Sequence, residues 1–181
     1  MRYNYYKNEK MKKTLLMLLI SVSFYSNAQG SEFTFNSKNG MTDYLVSECK
    51  GKTQSELYIT TNEWIVKSFK NSNEVIQGQT EKEFIRIEGF TKNFNGAHDA
   101  TYVVEISFKD GKYKFDPKSF IMTYGTNVFN LFETYPSYFK SDGSTKDRVK
   151  VTIDGATNLM NDLNKELKSF ISDNEVIKDT W

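Results

Sequence analysis

The residues that could perform acid–base, nucleophilic or metal chemistry are few in this chain of 181 residues. It contains one histidine, His98, and one cysteine, Cys49. A zinc site built from such ligands needs several of them, and a catalytic triad would depend on His98 alone, which lies in a predicted turn where we expect it to point to water. No G-x-S-x-G sequence, glycine-rich phosphate loop or calcium loop occurs. We therefore predict no catalytic residue, no metal site and no cofactor.

Cys49 allows two interpretations. A single cysteine forms no internal disulfide, so the hydrophobic core must supply the stability of the fold. No histidine lies near Cys49 in the sequence to activate its thiol. We therefore favour a small, buried apolar side chain, with a reactive thiol as the alternative.

Two carboxylates could still form an acid–base pair. In the strand register that the hairpin turns predict, Glu105 and Asp116 fall in one row across the sheet. Arg86 and Lys114 neighbour them, and the simpler interpretation is that these cations balance the two negative charges. A small hydrolase-like enzyme that uses Glu105 and Asp116 on an open sheet face is the alternative function.

The first 28 residues have the features of an export signal. Lys12 and Lys13 form a basic region, residues 15–23 form an apolar run, and Ala28 ends a small-residue cleavage pattern. The run is shorter than the ~20 apolar residues of a spanning helix. We predict that residues 1–28 are a signal peptide and that the mature protein is periplasmic or secreted, with no transmembrane segment.

Removal of this segment changes the charge of the protein. It takes away five basic residues and one acidic residue, so the formal net charge falls by four, from +1 to −3. Nucleic-acid binding needs a concentrated basic surface. We therefore expect the mature protein not to bind nucleic acid.

An amphipathic helix is predicted over residues 53–70. Thr53 and Glu56 have the spacing of a capping box, in which the threonine hydroxyl and the glutamate each satisfy a free backbone N–H at the helix start. Apolar residues then recur at spacings of three and four and share one face. They are Leu57, Thr61, Trp64, Ile65 and Phe69. Trp64 is interpreted as a core residue, with ligand stacking as the alternative.

Two turns predict a three-stranded meander. Asp110-Gly111 has the composition of a type I′ hairpin turn, and it pairs Phe108 with Tyr113. Asn95-Gly96 pairs Ile87 with Val104. Each turn pairs apolar residues with apolar residues, so both assign the same strand face to the core.

The opposite face of the meander is mixed in character. A solvated face is the ordinary interpretation for an antiparallel sheet, and a partner-binding surface is the sharper one. Phe84 and Phe90 would be the anchors of such a surface. The side chains assigned to this face are Phe84, Arg86, Glu88, Phe90, Val103, Glu105, Ser107, Lys112, Lys114 and Asp116.

The remaining segments complete the expected domain. Asp116-Pro117 interrupts the last strand, which we expect to resume past a bulge. Residues 125–150 form a long segment rich in aromatics, interpreted as a core flap in preference to a binding element. A second amphipathic helix follows, with Asp154 as its expected N-cap. We predict a leader at 29–42, a single domain at 43–175 and a tail at 176–181.

The chain resembles a family of exported bacterial domains of unknown function that have a TATA-binding-protein-like (TBP-like) fold. The matching residues are Glu56, Leu57, Tyr58 and Trp64, then Val75-Ile76 and the hairpin 102–115. The resemblance implies an α+β fold, a curved antiparallel β-sheet with two helices packed on one face, in the order β-α-β-β-β-β-α. The family has no established activity, so the resemblance implies no catalytic role.

These observations favour a non-catalytic binding or interaction module. We expect its partner to be an unidentified protein of the envelope or extracellular space, and the partner-binding residues to lie on the open sheet face. They are Phe84, Arg86, Glu88, Phe90 and Val103.

Overall fold

A computed structural model describes residues 31–173 of the chain. The predicted signal peptide at 1–28 and the predicted tail at 176–181 lie outside these residues. None of the described helices combines the length and the apolar character that crossing a bilayer requires.

The described chain begins with short strands, continues into a large sheet interrupted by one long helix, and ends with a second long helix. The strands are β1 (Phe35–Asn36), β2 (Gly40–Met41), β3 (Leu45–Glu48), β4 (Ile76–Thr80), β5 (Phe84–Thr91), β6 (Asp99–Lys109), β7 (Lys112–Tyr124) and β8 (Asn127–Asn130). The α-helices are α1 (Gln54–Ser68), α2 (Ser72–Val75), α3 (Leu131–Thr134) and α4 (Asp147–Asp173), and a 3-10 turn covers Tyr135–Tyr138.

The large sheet is antiparallel, with the strand order β3-β7-β6-β5-β4. Strands β3 and β8 pair with the same edge of β7, β3 with its N-terminal part and β8 with its C-terminal part. The predicted order β-α-β-β-β-β-α corresponds to β3, α1, β4 to β7 and α4. The α+β class and the antiparallel sheet are confirmed.

The register of the meander is the predicted one. Phe108 pairs with Tyr113, and Ile87 pairs with Val104. The turn type was predicted wrongly, because only Gly111 has a positive φ, at 76°, whereas a type I′ turn needs two such residues. Tertiary contacts hold this turn: the Gln54 N–H donates to Asp110 Oδ1 at 2.8 Å.

A bulge lies in the middle of β7. Val104 pairs with Pro117 and Val103 pairs with Ser119, so Lys118 is the extra residue between them. Pro117 has no N–H to give to a ladder, which explains why the pairing shifts there. The strand continues to Tyr124, as expected.

Helices α1 and α4 cover one face of the sheet and contact each other. Thr53 and Glu56 form the capping box at the start of α1. Trp64 is fully buried, and its Nε1 donates to Glu166 Oε1 of α4 at 3.2 Å. Trp64 is therefore a core residue that joins the two helices.

The second helix begins earlier than predicted. Asp154 lies inside α4, which starts at Asp147, so it is not an N-cap. Thr152 and Ile153 are buried and extend the apolar face toward the N-terminus. Gly155 lies within this helix, and its lack of a side chain lets the Phe94 ring approach, since a Cβ there would lie 3.3 Å from Cδ2 of Phe94.

Two segments outside the meander and the long helices contribute to the core, the first against expectation and the second as interpreted from the sequence. Residues 31–42, placed in the predicted leader, carry Phe33, which is 1% exposed and lies 5.9 Å from the Phe115 ring. Residues 125–150 hold β8, α3 and the 3-10 turn, and Leu131 is fully buried. Phe35 stacks on Phe139 between the two segments. The aromatic segment is thus a core flap.

Candidate functional site

The sheet has one uncovered side, which we call the open face. It consists of the side chains that point away from α1 and α4. On β5 the alternation is regular: Arg86 and Glu88 are exposed, whereas Ile85 and Ile87 between them are fully buried. All five predicted partner-binding residues lie on this face, because Val103 of β6 is the Cα partner of Glu88.

The two predicted aromatic anchors differ in their surroundings. Phe90 is 64% exposed and lies opposite Thr101. Phe84 is half-buried, and the Arg86 guanidinium lies 6.0 Å from its ring centroid. Phe90 is therefore the aromatic ring that the open face offers to a partner, whereas Phe84 already packs against a cation of its own strand.

Apolar neighbours extend the surface around Phe90. Ile121 of β7 follows Thr101 in the same cross-sheet row, and Val128 of β8 lies in the next row. Val128 is 65% exposed, and Val103 and Ile121 are half-buried. We call Phe90, Val103, Ile121 and Val128 the apolar end of the open face.

The centre of the open face is a row of ion pairs. Arg86 donates to Glu105 Oε2 from Nη2 at 2.6 Å and from Nε at 3.2 Å. Asp116 lies opposite Glu105, and its Oδ2 accepts from the ammonium groups of Lys114 at 2.8 Å and Lys118 at 2.7 Å. The predicted cross-strand row exists, and cations of the same face balance both carboxylates.

The catalytic alternative finds little support in this geometry. The side chain of Asp116 is 10% exposed, and two lysines hold the same carboxylate oxygen. A shallow cavity of about 480 Å³ opens beside this row, but neither Glu105 nor Asp116 lines it. Within residues 31–173, no group of three or more His, Cys, Asp or Glu side chains is placed to hold a metal ion.

His98 does not point to water as expected. It is half-buried, and its ring lies 5.4 Å from Tyr124 and 6.4 Å from Phe94. The Asn95 side chain accepts the His98 backbone N–H at 2.9 Å and donates to Thr152 Oγ1 of α4 at 2.9 Å. His98 is part of a turn that is tied to the second helix, a contact that the sequence did not reveal.

Cys49 is a half-buried free thiol. Burial raises the pKa of the Cys49 thiol, against an opposing effect of the Lys168 ammonium. A raised pKa lowers the thiolate fraction, and the thiolate is the reactive form. The favoured interpretation, a small apolar side chain, agrees with this environment.

The sequence missed the part of the open face that β3 contributes. Val46 lies opposite Lys114 and is 39% exposed, and Tyr44 just before the strand is exposed to the same extent. The alternation of Leu45 and Ser47, buried, with Val46 and Glu48, exposed, was available as a signal. To assign Val46 to the open face from this alternation, one must also know that β3 pairs with β7, and no turn sequence indicates that pairing.

Two solved structures are similar to this chain. A DUF4468 family protein from Bacteroides ovatus aligns with a TM-score of 0.63 and 13% identity over 74% of this chain and 87% of that chain. A TBP-like protein from Parabacteroides distasonis aligns with a TM-score of 0.55 and 11% identity over 71% of this chain and 90% of that chain. No protein-family model and no curated protein matches the sequence. At these identities the likeness concerns the fold alone, and the chain has the TBP-like α+β fold that its resemblance implied.

Proposed function

We propose that this protein is an exported, non-catalytic module that binds a protein of the envelope or extracellular space through its open face. The observation that carries the proposal is Phe90, a large aromatic ring that is 64% exposed on a strand paired with β6 along its whole length. Aromatic and arginine side chains are the commonest energetic anchors of protein interfaces.

The sheet keeps the entropy cost of binding through such an anchor low. Strand β5 pairs with β6 from Phe84 to Thr91, which includes Phe90, and with β4 from Phe84 to Ile87. Its backbone is therefore already ordered before a partner arrives, and little conformational entropy is lost on binding. The apolar end supplies contact area around Phe90, and Arg86 and Glu88 supply polar contacts on the same strand.

The alternative, a hydrolase-like enzyme that uses Glu105 and Asp116, is less well supported. A general acid–base pair needs carboxylates that can reach a substrate and exchange protons with it. Arg86, Lys114 and Lys118 already occupy these two carboxylates. The binding module accounts for the exposed aromatic and does not require the carboxylates to be free.

The test is capture of a partner from an envelope extract by the mature protein. We expect Phe90→Ala to weaken the capture by ~1–2 kcal/mol, about fivefold to thirtyfold. Val66→Ala is the matched control, because Val66 is equally exposed, at 64%, but lies on α1. Phe84→Ala should also weaken binding. Equal capture by wild type and Phe90→Ala would remove Phe90 as the anchor.

Export is tested separately. The basic region at Lys12-Lys13 and the cleavage pattern at Ala28 motivate it. N-terminal sequencing of the protein purified from its native host should begin at or near Gln29. A soluble product that still starts at Met1 or Met11 would contradict export through this signal.

A further inference from the structure

Three lysines converge on one cavity of the open face. The cavity has a volume of about 480 Å³. It is lined by Lys109 and Lys112 at the β6–β7 hairpin and by Lys114, two residues after Lys112 on β7. Tyr44 and Val46 of the β3 edge form another part of its wall. No carboxylate is among the lining residues. We call this the lysine cavity.

Two of these lysines form no ion pair within the described part of the chain. Lys114 is paired with Asp116, but no ion pair involves Lys109 or Lys112. They are Cα partners across the hairpin, and like charges in this position destabilise a sheet. Asp110, the carboxylate of the turn, is engaged by the Gln54 N–H of α1. Glu48 of β3 is the Cα partner of Lys112 on its other side, but no ion pair joins the two side chains, so both ammonium groups stay available to a ligand.

The cavity also has an apolar side. Tyr44 and Val46 are each 39% exposed, and the Lys114 Nζ lies 5.3 Å from the Tyr44 ring centroid. A ligand that enters here meets ammonium groups on one side and an aromatic and an aliphatic surface on the other. Its chemistry should combine negative charge with an apolar group.

We propose that the lysine cavity binds an acidic segment of a polypeptide, in which Asp or Glu side chains flank an apolar or aromatic residue. This inference rests on the proposed function, because it names the charge of the protein partner at the open face. Charge complementarity across an interface steers encounter and gives specificity. The mature protein is expected to be acidic overall, so this basic cavity is not a consequence of general positive charge.

Other anionic partners fit the same surface less well. A bilayer is flat and broad, and it would also meet the exposed carboxylates Glu48 and Glu88 on this face. A polyuronate carries its carboxylates on hydroxylated rings and has no apolar side chain for Val46. An acidic peptide supplies both kinds of group at the spacing of neighbouring residues.

The experiment measures binding of a fluorescein-labelled glutamate–tyrosine copolymer to the mature protein by anisotropy at low ionic strength. We expect wild type to bind, the affinity to fall as salt is added, and Lys109→Glu/Lys112→Glu to weaken binding about tenfold or more. Lys140→Glu/Lys150→Glu is the matched control: it makes the same charge change at two exposed positions near the start of α4, whereas the Cys49–Gly111 contact lies near Lys168 at its far end, and it should change the affinity less than about threefold.

Several results would overturn the inference. They are no binding of the copolymer at low salt, equal weakening by the two double variants, or binding of polygalacturonate or phosphatidylglycerol vesicles in place of the copolymer. The single variant Lys109→Glu guards against a folding defect, because it replaces a like-charge pair by an opposite-charge pair. It should weaken copolymer binding without lowering the unfolding midpoint.

Failure of this inference and failure of the proposed function are distinguishable. If Phe90→Ala abolishes capture of the envelope partner and Lys109→Glu/Lys112→Glu leaves it intact, the lysine cavity is not the acidic-peptide site, whereas the binding module stands. If copolymer binding depends on the lysines while Phe90→Ala captures the partner like wild type, the acidic-peptide site stands and Phe90 is not the anchor.

Discussion

The two faces of strands β5 to β7 are built from alternate residues of the same sequence, yet they are stabilised in different ways. On the face covered by the helices, Ile85, Ile87, Val104, Ile106 and Phe115 are all fully buried. On the open face, the equivalent central positions are ion-paired or exposed. Alternation places the side chains, and the presence or absence of the helices then decides what each face can do.

The covered face and the open face should differ in how much they contribute to stability and to binding. Burial of a large apolar side chain stabilises a fold by ~1.5–3 kcal/mol, whereas an exposed ion pair contributes ~0–1 kcal/mol. The covered face should therefore account for most of the stability, and the open face should tolerate substitution. A surface that tolerates substitution and still carries an exposed aromatic and unpaired lysines is available for binding.

The largest effect should come from the covered face. Trp64→Ala is expected to lower the free energy of unfolding by ~3–5 kcal/mol, since it empties a buried site and breaks the contact with Glu166. Val66→Ala, two residues away on the exposed side of α1, should change it by less than ~0.5 kcal/mol. Urea unfolding measures both. A loss below ~1 kcal/mol for Trp64→Ala would contradict its place in the core.

Gly89→Ala should have the next largest effect. Gly89 faces the helices, and a Cβ there would lie 2.2 Å from Cζ of Tyr102 on the neighbouring strand. Because the Tyr102 ring must shift, we expect a loss of ~1–3 kcal/mol. Gly78→Ala on β4 is the matched control, because its Cβ would meet nothing within 4 Å. Equal stability of the two variants in thermal or urea unfolding would argue against this close packing.

Tyr113 makes the stability of the covered face sensitive to alkaline pH. Burial raises the pKa of Tyr113, and its hydroxyl donates to Asn164 Oδ1 at 2.9 Å. A tyrosine in the unfolded chain loses its proton near pH 10, whereas the buried Tyr113 keeps its proton to higher pH. The contribution of Tyr113 to the free energy of unfolding is therefore fully present below about pH 10 and is lost as the pH rises further.

Tyr113→Phe should reduce the steepness of this loss by up to ~1.4 kcal/mol per pH unit, at a cost of ~1 kcal/mol at neutral pH for the lost hydrogen bond. Urea unfolding at pH 7 to 11 measures both quantities. Burial also raises the pKa of Tyr102, so part of the alkaline loss remains in the variant. Identical slopes for wild type and variant would contradict the assignment.

The smallest change in the free energy of unfolding is expected on the open face, and it is a stabilisation, unlike the losses expected above. Lys109→Glu places a carboxylate opposite Lys112, and we expect it to raise the free energy of unfolding by ~0.2–1 kcal/mol. Lys165→Glu on α4 should leave it nearly unchanged. Stabilisation together with weaker binding of the acidic copolymer would mean that the lysine pair serves binding at a cost in stability. A destabilised Lys109→Glu would show that the pair is not repulsive in the fold.

Much of the meander could be predicted because its information is local. Asn95-Gly96 and Asp110-Gly111 bring neighbouring strands together over short loops, and only one register pairs apolar residues with apolar residues. This register also assigned Phe84, Arg86 and Phe90 to a single face. The type of the Asp110-Gly111 turn was not predictable, because Cys49 and Lys52 of the segment before α1 bond to the backbone of Gly111, the only one of the two turn residues with a positive φ.

The sequence by itself determined the first helix with its cap, the alternation of the two sheet faces and the scarcity of groups for catalysis. Each depends on residues a few positions apart. Only the tertiary structure decided that β3 lies beside β7, that Phe33 packs on Phe115, that α4 starts at Asp147, and that Phe90 is exposed while Phe84 is not. These features depend on packing between residues far apart in the chain, and such packing energies have no local pattern in the sequence.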